Sequence, residues 1–147
     1  MSTSLSYESD APVSADVRSS ITSHIESASA AYEWWCEPNH FFDRPDLPDH
    51  LTGNTKLFLL LDDPSADSFM AHADAAKIVD LLSSVSREFS VNWKLSLEGA
   101  TVGNIVDGEP DSDASDSLDG LLEICTMMGA DPSDYDRAAI LAANPDR

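Results

Sequence analysis

Two adjacent carboxylates, Asp62 and Asp63, close the most continuous apolar run in the chain, Leu57 to Leu61. Paired Asp at the carboxyl end of a strand is where open α/β sheets place ligands, and a Mg²⁺ held there neutralises phosphate charge during transfer or hydrolysis. The partner that such chemistry needs, a G-x-x-x-x-G-K-[ST] loop, occurs nowhere in the sequence. Asp63 before Pro64 is also a good helix start, so the reading favoured over metal binding is a cap at Asp63 and a strand end meeting water at Asp62.

A second acidic group runs from Asp111 to Asp119. Its oxygens fall at positions 1, 3, 5, 7 and 9 of a calcium loop, but Asp116 stands where the sharp turn needs Gly and Leu122 where a bidentate Glu closes the site. The pattern fails where it is most informative and reads as an acidic loop from Asp107 to Leu118. A third group, Cys36, His40 and His50, supplies soft ligands, with His72 or one of Asp43, Asp46 and Asp49 as possible completions. Nothing in their spacing builds a closed tetrahedral site. No cofactor is expected from these patterns, and Asp62 and Asp63 are the metal candidates they leave.

The fourth group is aromatic: Tyr32, Trp34, Trp35, Phe41 and Phe42, with Asp43 beside it. Aromatic anchors ringed by carboxylates suit a protein interface. The competing reading is that they tie a proline-rich segment to the core. Trp34, Trp35, Phe41, Phe42 and Asp43 are the candidate partner-binding residues.

Charge bounds the partners. The 147 residues carry 27 Asp and Glu against 8 Lys and Arg, a net charge of −19. Such a field repels nucleic-acid phosphates and anionic membranes. It fits a basic or neutral protein partner, or solubility in a salt-rich cell, where the acidity carries no partner information. Met1 to Asp10 lacks a basic region followed by an apolar run, and no segment reaches the roughly 20 apolar residues that span a bilayer. A cytoplasmic protein is expected. Two cysteines, Cys36 and Cys125, are too few for a disulfide scaffold and read as buried thiols.

The elements that must position these residues follow from periodicity. Residues 1–13 are Ser-rich and read as a flexible tail; 14–147 read as one α+β domain. Ser14 caps a helix from Ala15 to Trp35 with Val17, Ile21, Ile25 and Ala28 on one stripe. An irregular segment with Pro38, Pro45 and Pro48 follows, and Gly53-Asn54 turns into a strand, Lys56 to Leu61, buried on both faces. A helix after Pro64 has the inner stripe Ala71, Ala75, Ile78, Leu82, Val85 and Phe89, with Asp74 among its wet positions. Val91 to Val106 is a hairpin turning at Glu98-Gly99, which sets Leu97 opposite Ala100, Leu95 opposite Val102 and Trp93 opposite Asn104. Leu118 to Met128 is a third helix ended by Gly129, and Ser133 caps a fourth. The order α-β-α-β-β-α-α predicts a small two-layer sandwich with a sheet of about three strands.

These residues support a non-catalytic, acidic protein-binding domain of immunity or adaptor type. The alternatives are a metal-dependent hydrolase or phosphoryl-transfer protein using Asp62 and Asp63, and a salt-adapted domain without partner information.

Overall fold

Alternation within the first nine residues places Leu5, Tyr7 and Ser9 on one face, at 2%, 2% and 1% exposure. The computed structural model describes residues 2–58, 67–127 and 129–145. In it the segment read as a flexible tail is strand β1, Ser2–Ser9, at the centre of the sheet. Two large apolar side chains at period two suffice for a strand when a neighbour pairs on each side. The intervening serines turn to the opposite face and cost little there.

The remaining elements are α1 (Ala15–Ala30), β2 (His40–Phe42), β3 (Thr52–Phe58), α2 (Asp67–Phe89), β4 (Trp93–Leu97), β5 (Ala100–Val106), β6 (Glu109–Pro110), α3 (Ser112–Met127), a 3₁₀ turn (Pro132–Asp134) and α4 (Arg137–Ala143). Among the described residues the sheet runs β2-β3-β1-β4-β5-β6 with every pair antiparallel, six strands where about three were expected. The fold is α+β. One continuous core joins the inner sheet face (Leu5, Tyr7, Leu57, Trp93, Leu95, Ile105) to Ile21 and Ile25 of α1 and to Ala71, Ala75, Ile78, Leu82 and Val85 of α2. The opposite face presents Ser6, Glu8, Lys94, Ser96 and Thr101 around an open trough.

Several local expectations are corrected. α1 ends at Ala30 rather than Trp35, because the Trp34 indole N–H donates to the Ser29 carbonyl at 3.0 Å and turns the chain back. Gly53 and Asn54 lie inside β3, not in a turn before it. A Cβ on Gly53 would sit 2.5 Å from the Tyr7 ring, so the residue is small because two strands cross close to an aromatic side chain. Within β3, Thr55 and Leu57 are buried and Lys56 is exposed, the alternation of a strand with one wet face. The expected continuation to Leu61 lies outside the described residues.

The hairpin turns at Glu98-Gly99, with φ of 50° and 82°, and pairs Leu97 with Ala100 as its sequence predicts. Beyond Ser96–Thr101 the register shifts by one: Leu95 pairs with Gly103 and Trp93 with Ile105. Val102 is the extra residue of a β-bulge. Ile105 is therefore fully buried, Asn104 faces outward opposite Lys94, and Val106 is 46% exposed. The shift places Gly103 under the start of α3, where a Cβ would lie 2.4 Å from the Ala114 amide nitrogen.

The acidic loop is instead the start of α3. Asp111 accepts the Ala114 amide at 2.9 Å through Oδ1 and the Asn104 amide at 3.1 Å through Oδ2. It caps the helix and joins it to β5. The Ala114 N–H holds this carboxyl below its usual range. A depressed folded-state pKa stabilises the fold above the unfolded value and loses that effect as pH falls through the folded one. Asp111→Ala is expected to lower stability by about 1 kcal/mol at neutral pH, measured by urea unfolding, with a smaller difference in acid. At the far end of α3 the Ala130 amide donates to the Cys125 carbonyl across Gly129, whose φ is 112°, the C-terminal cap expected there. α4 is capped by Asp136, which accepts from Ala139; Ser133 lies one turn earlier, in the 3₁₀ segment capped by Asp131.

Candidate functional site

Between α1 and strand β2 runs a groove of about 600 Å³, within the size range of ligand sites. Its helical wall is Thr22, Ile25, Glu26, Ser29 and Ala30, one face of α1 at helical spacing. Its other wall is the returning chain, with Tyr32, Trp34, Pro38, Asn39, His40 and Phe41. Trp34 is fixed at both ends: its indole N–H reaches the Ser29 carbonyl and hydroxyl at 3.0 and 3.1 Å, and its ring meets Tyr32 edge to face at 4.7 Å. Phe41 points inward and packs edge to face on Tyr7 at 5.9 Å. Behind Phe41 the Tyr7 hydroxyl is shut off from solvent beside the Asn39 side chain. Burial pushes the Tyr7 phenol far above its ordinary pKa.

The returning chain is held by one carboxylate. Asp74, on α2, is 1% exposed. Its Oδ2 accepts the amides of Trp35 at 3.0 Å and Cys36 at 2.7 Å. Its Oδ1 faces Arg137 of α4 and the Tyr32 hydroxyl, each at 3.4 Å. Arg137 lies over the Tyr32 ring, 4.7 Å from its centroid, and reaches the Glu33 carbonyl as well. Burial pushes the Asp74 carboxyl above its ordinary value, against the pull of the Cys36 amide, Arg137 and the Trp35 amide. Burial, with Asp74 adding to it, pushes the Tyr32 phenol up to about 12. Asp74 was assigned to the wet side of α2, yet it stands three residues after Ala71 and four before Ile78. That spacing puts it on the apolar stripe. A carboxylate there must be hydrogen-bonded, and two backbone amides plus a guanidinium satisfy it.

Among the described residues, strand β2 is the edge of the sheet. Its His40 and Phe42 carbonyls turn toward β3: a Cβ on Gly53 would lie 2.7 Å from the His40 oxygen, and the Thr52 hydroxyl donates to the Phe42 oxygen at 2.6 Å. By alternation the Phe41 N–H and C=O point away from β3, to the open edge. One residue thus offers a side chain to the groove and a donor–acceptor pair to whatever lies beside it.

The five candidate partner-binding residues do not form one surface. Trp34 and Phe41 line the groove, and Trp35 is half-buried against the core. Phe42 is 38% exposed on the opposite sheet face, where it borders the trough with Arg44 and Thr52. Asp43 is exposed and pairs with Arg18 at 3.3 Å. Asp62 and Asp63 lie outside the described residues. Cys36 is a buried cysteine of the main core, Cys125 one of a second, smaller cluster. His50 bonds the Ser9 carbonyl through Nδ1 at 2.8 Å, away from His40 in the groove. Among the described residues no three His, Cys, Asp or Glu side chains gather as a metal site, and no helix is long and apolar enough to cross a membrane. Asp74, Arg137 and Asn39 are site residues that residue type did not mark in the sequence. No protein-family model, curated protein or solved structure matches this chain.

Proposed function

We propose that the protein is a non-catalytic binding domain that takes an extended segment of a partner protein along the free edge of β2. The observation that carries this reading is the outward N–H and C=O of Phe41 beside an apolar groove. Strand addition uses main-chain hydrogen bonds for affinity and a pocket for every second side chain for selectivity. Here Phe41 supplies the main-chain pair, and the space between Ile25, Trp34 and Phe41 takes one aliphatic side chain. Glu26 on the helical wall and the net charge of −19 favour lysine or arginine on the flanks of that anchor. The Asp74 clamp keeps the returning chain in place before a partner arrives, which lowers the ordering cost of binding.

The test uses two synthetic peptides sharing one leucine, one flanked by lysines at alternate positions and one by glutamates, with affinity read by fluorescence anisotropy at moderate ionic strength. The lysine peptide is expected to bind, and the glutamate peptide at least about tenfold more weakly, a difference of about 1.4 kcal/mol. Glu26→Lys, an exposed change, is expected to narrow that gap, and Ala30→Arg, which fills the groove mouth, to weaken both. Absence of binding by either peptide, or binding indifferent to Ala30→Arg, would overturn the proposal.

A further inference from the structure

Arg137 opens α4, and its side chain leaves that helix for a pocket built by other elements. The floor is the Tyr32 ring, whose centroid lies 4.7 Å from the guanidinium carbon. Three acceptors stand around the rim: Asp74 Oδ1 at 3.4 Å, the Glu33 carbonyl, and the Met70 sulfur at 3.9 Å. Asp74 and Met70 come from α2 and are 1% and 0% exposed. Tyr32 and Glu33 belong to the chain that returns after α1.

These are the contacts that a planar cation makes best. A guanidinium lays its face on an aromatic ring while its N–H groups, fixed in that plane, reach acceptors at the rim. An ammonium is a compact point charge with no such fork, and it cannot meet ring, carboxylate and carbonyl together as well. The pocket therefore distinguishes arginine from lysine by shape, not by charge alone.

The helix that delivers the guanidinium is held shallowly. In α4, Arg137, Ile140 and Leu141 are half-buried and the other residues are exposed. The receiving side is deep: Asp74 stands on the core stripe of α2 and accepts the Trp35 and Cys36 amides, contacts in which α4 takes no part. A carboxylate at that depth is costly to leave without its cation. Arg137 is therefore exchanged for another guanidinium more readily than it is simply withdrawn. The net charge of −19 draws basic partners to this surface.

We propose that the pocket of Tyr32, Glu33, Met70 and Asp74 is a receptor for an arginine side chain of a basic protein, filled in this structure by Arg137 as an internal stand-in. α4 is then an autoinhibitory plug, which the partner's arginine displaces. The site does not depend on strand addition: its ligand is a side chain, and none of its acceptors lies on β2.

The experiment has two arms, both on the full chain at fixed ionic strength. In the first, Arg137→Ala is titrated with ethylguanidinium, the piece that this variant lacks, and with n-butylammonium, of equal charge and similar length. Ethylguanidinium is expected to raise its melting temperature and to bind at least about tenfold more tightly than the ammonium. The second arm uses the wild type and two peptides, one with three arginines separated by Gly-Ser and one with three lysines so spaced. Several cations are needed because Arg137 competes at an effective concentration on the order of millimolar. The NMR signals of the Arg137 side chain, shifted by the Tyr32 ring, are expected to move to those of a free arginine with the arginine peptide and to stay in place with the lysine peptide. This arm needs no variant, so it decides the matter where Arg137→Ala does not fold. Rescue by both cations alike or by neither, or displacement by both peptides alike or by neither, would overturn the proposal.

Discussion

Asp74→Ala is expected to lower stability by about 3 to 5 kcal/mol, the cost of leaving buried partners of a charge uncompensated. The substitution strips acceptors from the Trp35 and Cys36 amides and from Arg137 at once. At roughly 3 °C per kcal/mol for a chain of this size, the melting temperature falls by about 10 °C. Asp74→Asn keeps one acceptor oxygen and loses the charge, so it costs less. The pH dependence gives a second signature. Burial raises the Asp74 pKa above its ordinary 3.8, so the folded state holds this proton to higher pH than the unfolded chain. The contribution of Asp74 is then fullest below 3.8 and is lost as pH rises through the folded value. Stability relative to Asp74→Asn, measured by denaturant unfolding across that window, is expected to decline with rising pH. A difference that grew with pH would mean that the carboxylate is stabilised in place, and the account of a desolvated clamp would fail.

Gly103→Ala has the next largest expected effect. The added Cβ would meet the Ala114 amide nitrogen at 2.4 Å, the Ala114 Cα at 2.6 Å and its Cβ at 2.6 Å. These are backbone and near-backbone atoms at the first turn of α3, so no flexible side chain can swing aside. Either the bulge or the helix must move. The cost is expected at about 2 to 3 kcal/mol, the upper range of overpacking, measured by urea unfolding, and hydrogen exchange is expected to quicken first in α3. Gly99→Ala, in the hairpin turn, is the control: nothing lies within 4 Å of its added Cβ, and its cost comes from the backbone φ of 82° alone.

The legible parts of the fold were those in which a local rule and the tertiary environment agree. Glu98-Gly99 needs positive φ at both residues and sits between alternating strands, so the turn can be read directly. The stripe Ala71, Ala75, Ile78, Leu82 and Val85 is buried as its period requires. Ser14 caps α1 through the Val17 amide, as its place before an apolar stripe suggests. The parts that could not be read depend on partners distant in sequence. β1 is half serine and becomes a central strand because β3 and β4 pair on either side of it. The bulge at Val102 brings Gly103 against Ala114, twelve residues beyond the bulge. Without that contact an unbroken register with Asn104 inward satisfies the apolar pattern equally well. Asp111 and Asp116 look like ligands or loop residues because Asp is at home in caps, loops and metal sites alike. The amide of Ala114 decides among them.

The candidate site divides in the same way. Aromatic composition marked Trp34 and Phe41, and both line the groove; it could not separate them from Phe42, which strand alternation sends to the opposite face. The acceptor edge at Phe41 is a property of backbone pairing, which no residue type announces. Asp74 was the one legible omission, because the spacing from Ala71 to Ile78 already placed it inside.

The central claim, that a partner segment pairs with the open edge of β2, is tested most directly by amide hydrogen exchange with and without the lysine-flanked peptide. If the peptide adds as a strand, the Phe41 amide is expected to slow markedly on binding, while the Leu5 and Tyr7 amides, deep in the sheet, stay as they were. A bound peptide that leaves Phe41 exchanging at its free rate would contradict the claim, and would move the contact to the apolar groove alone or to another face.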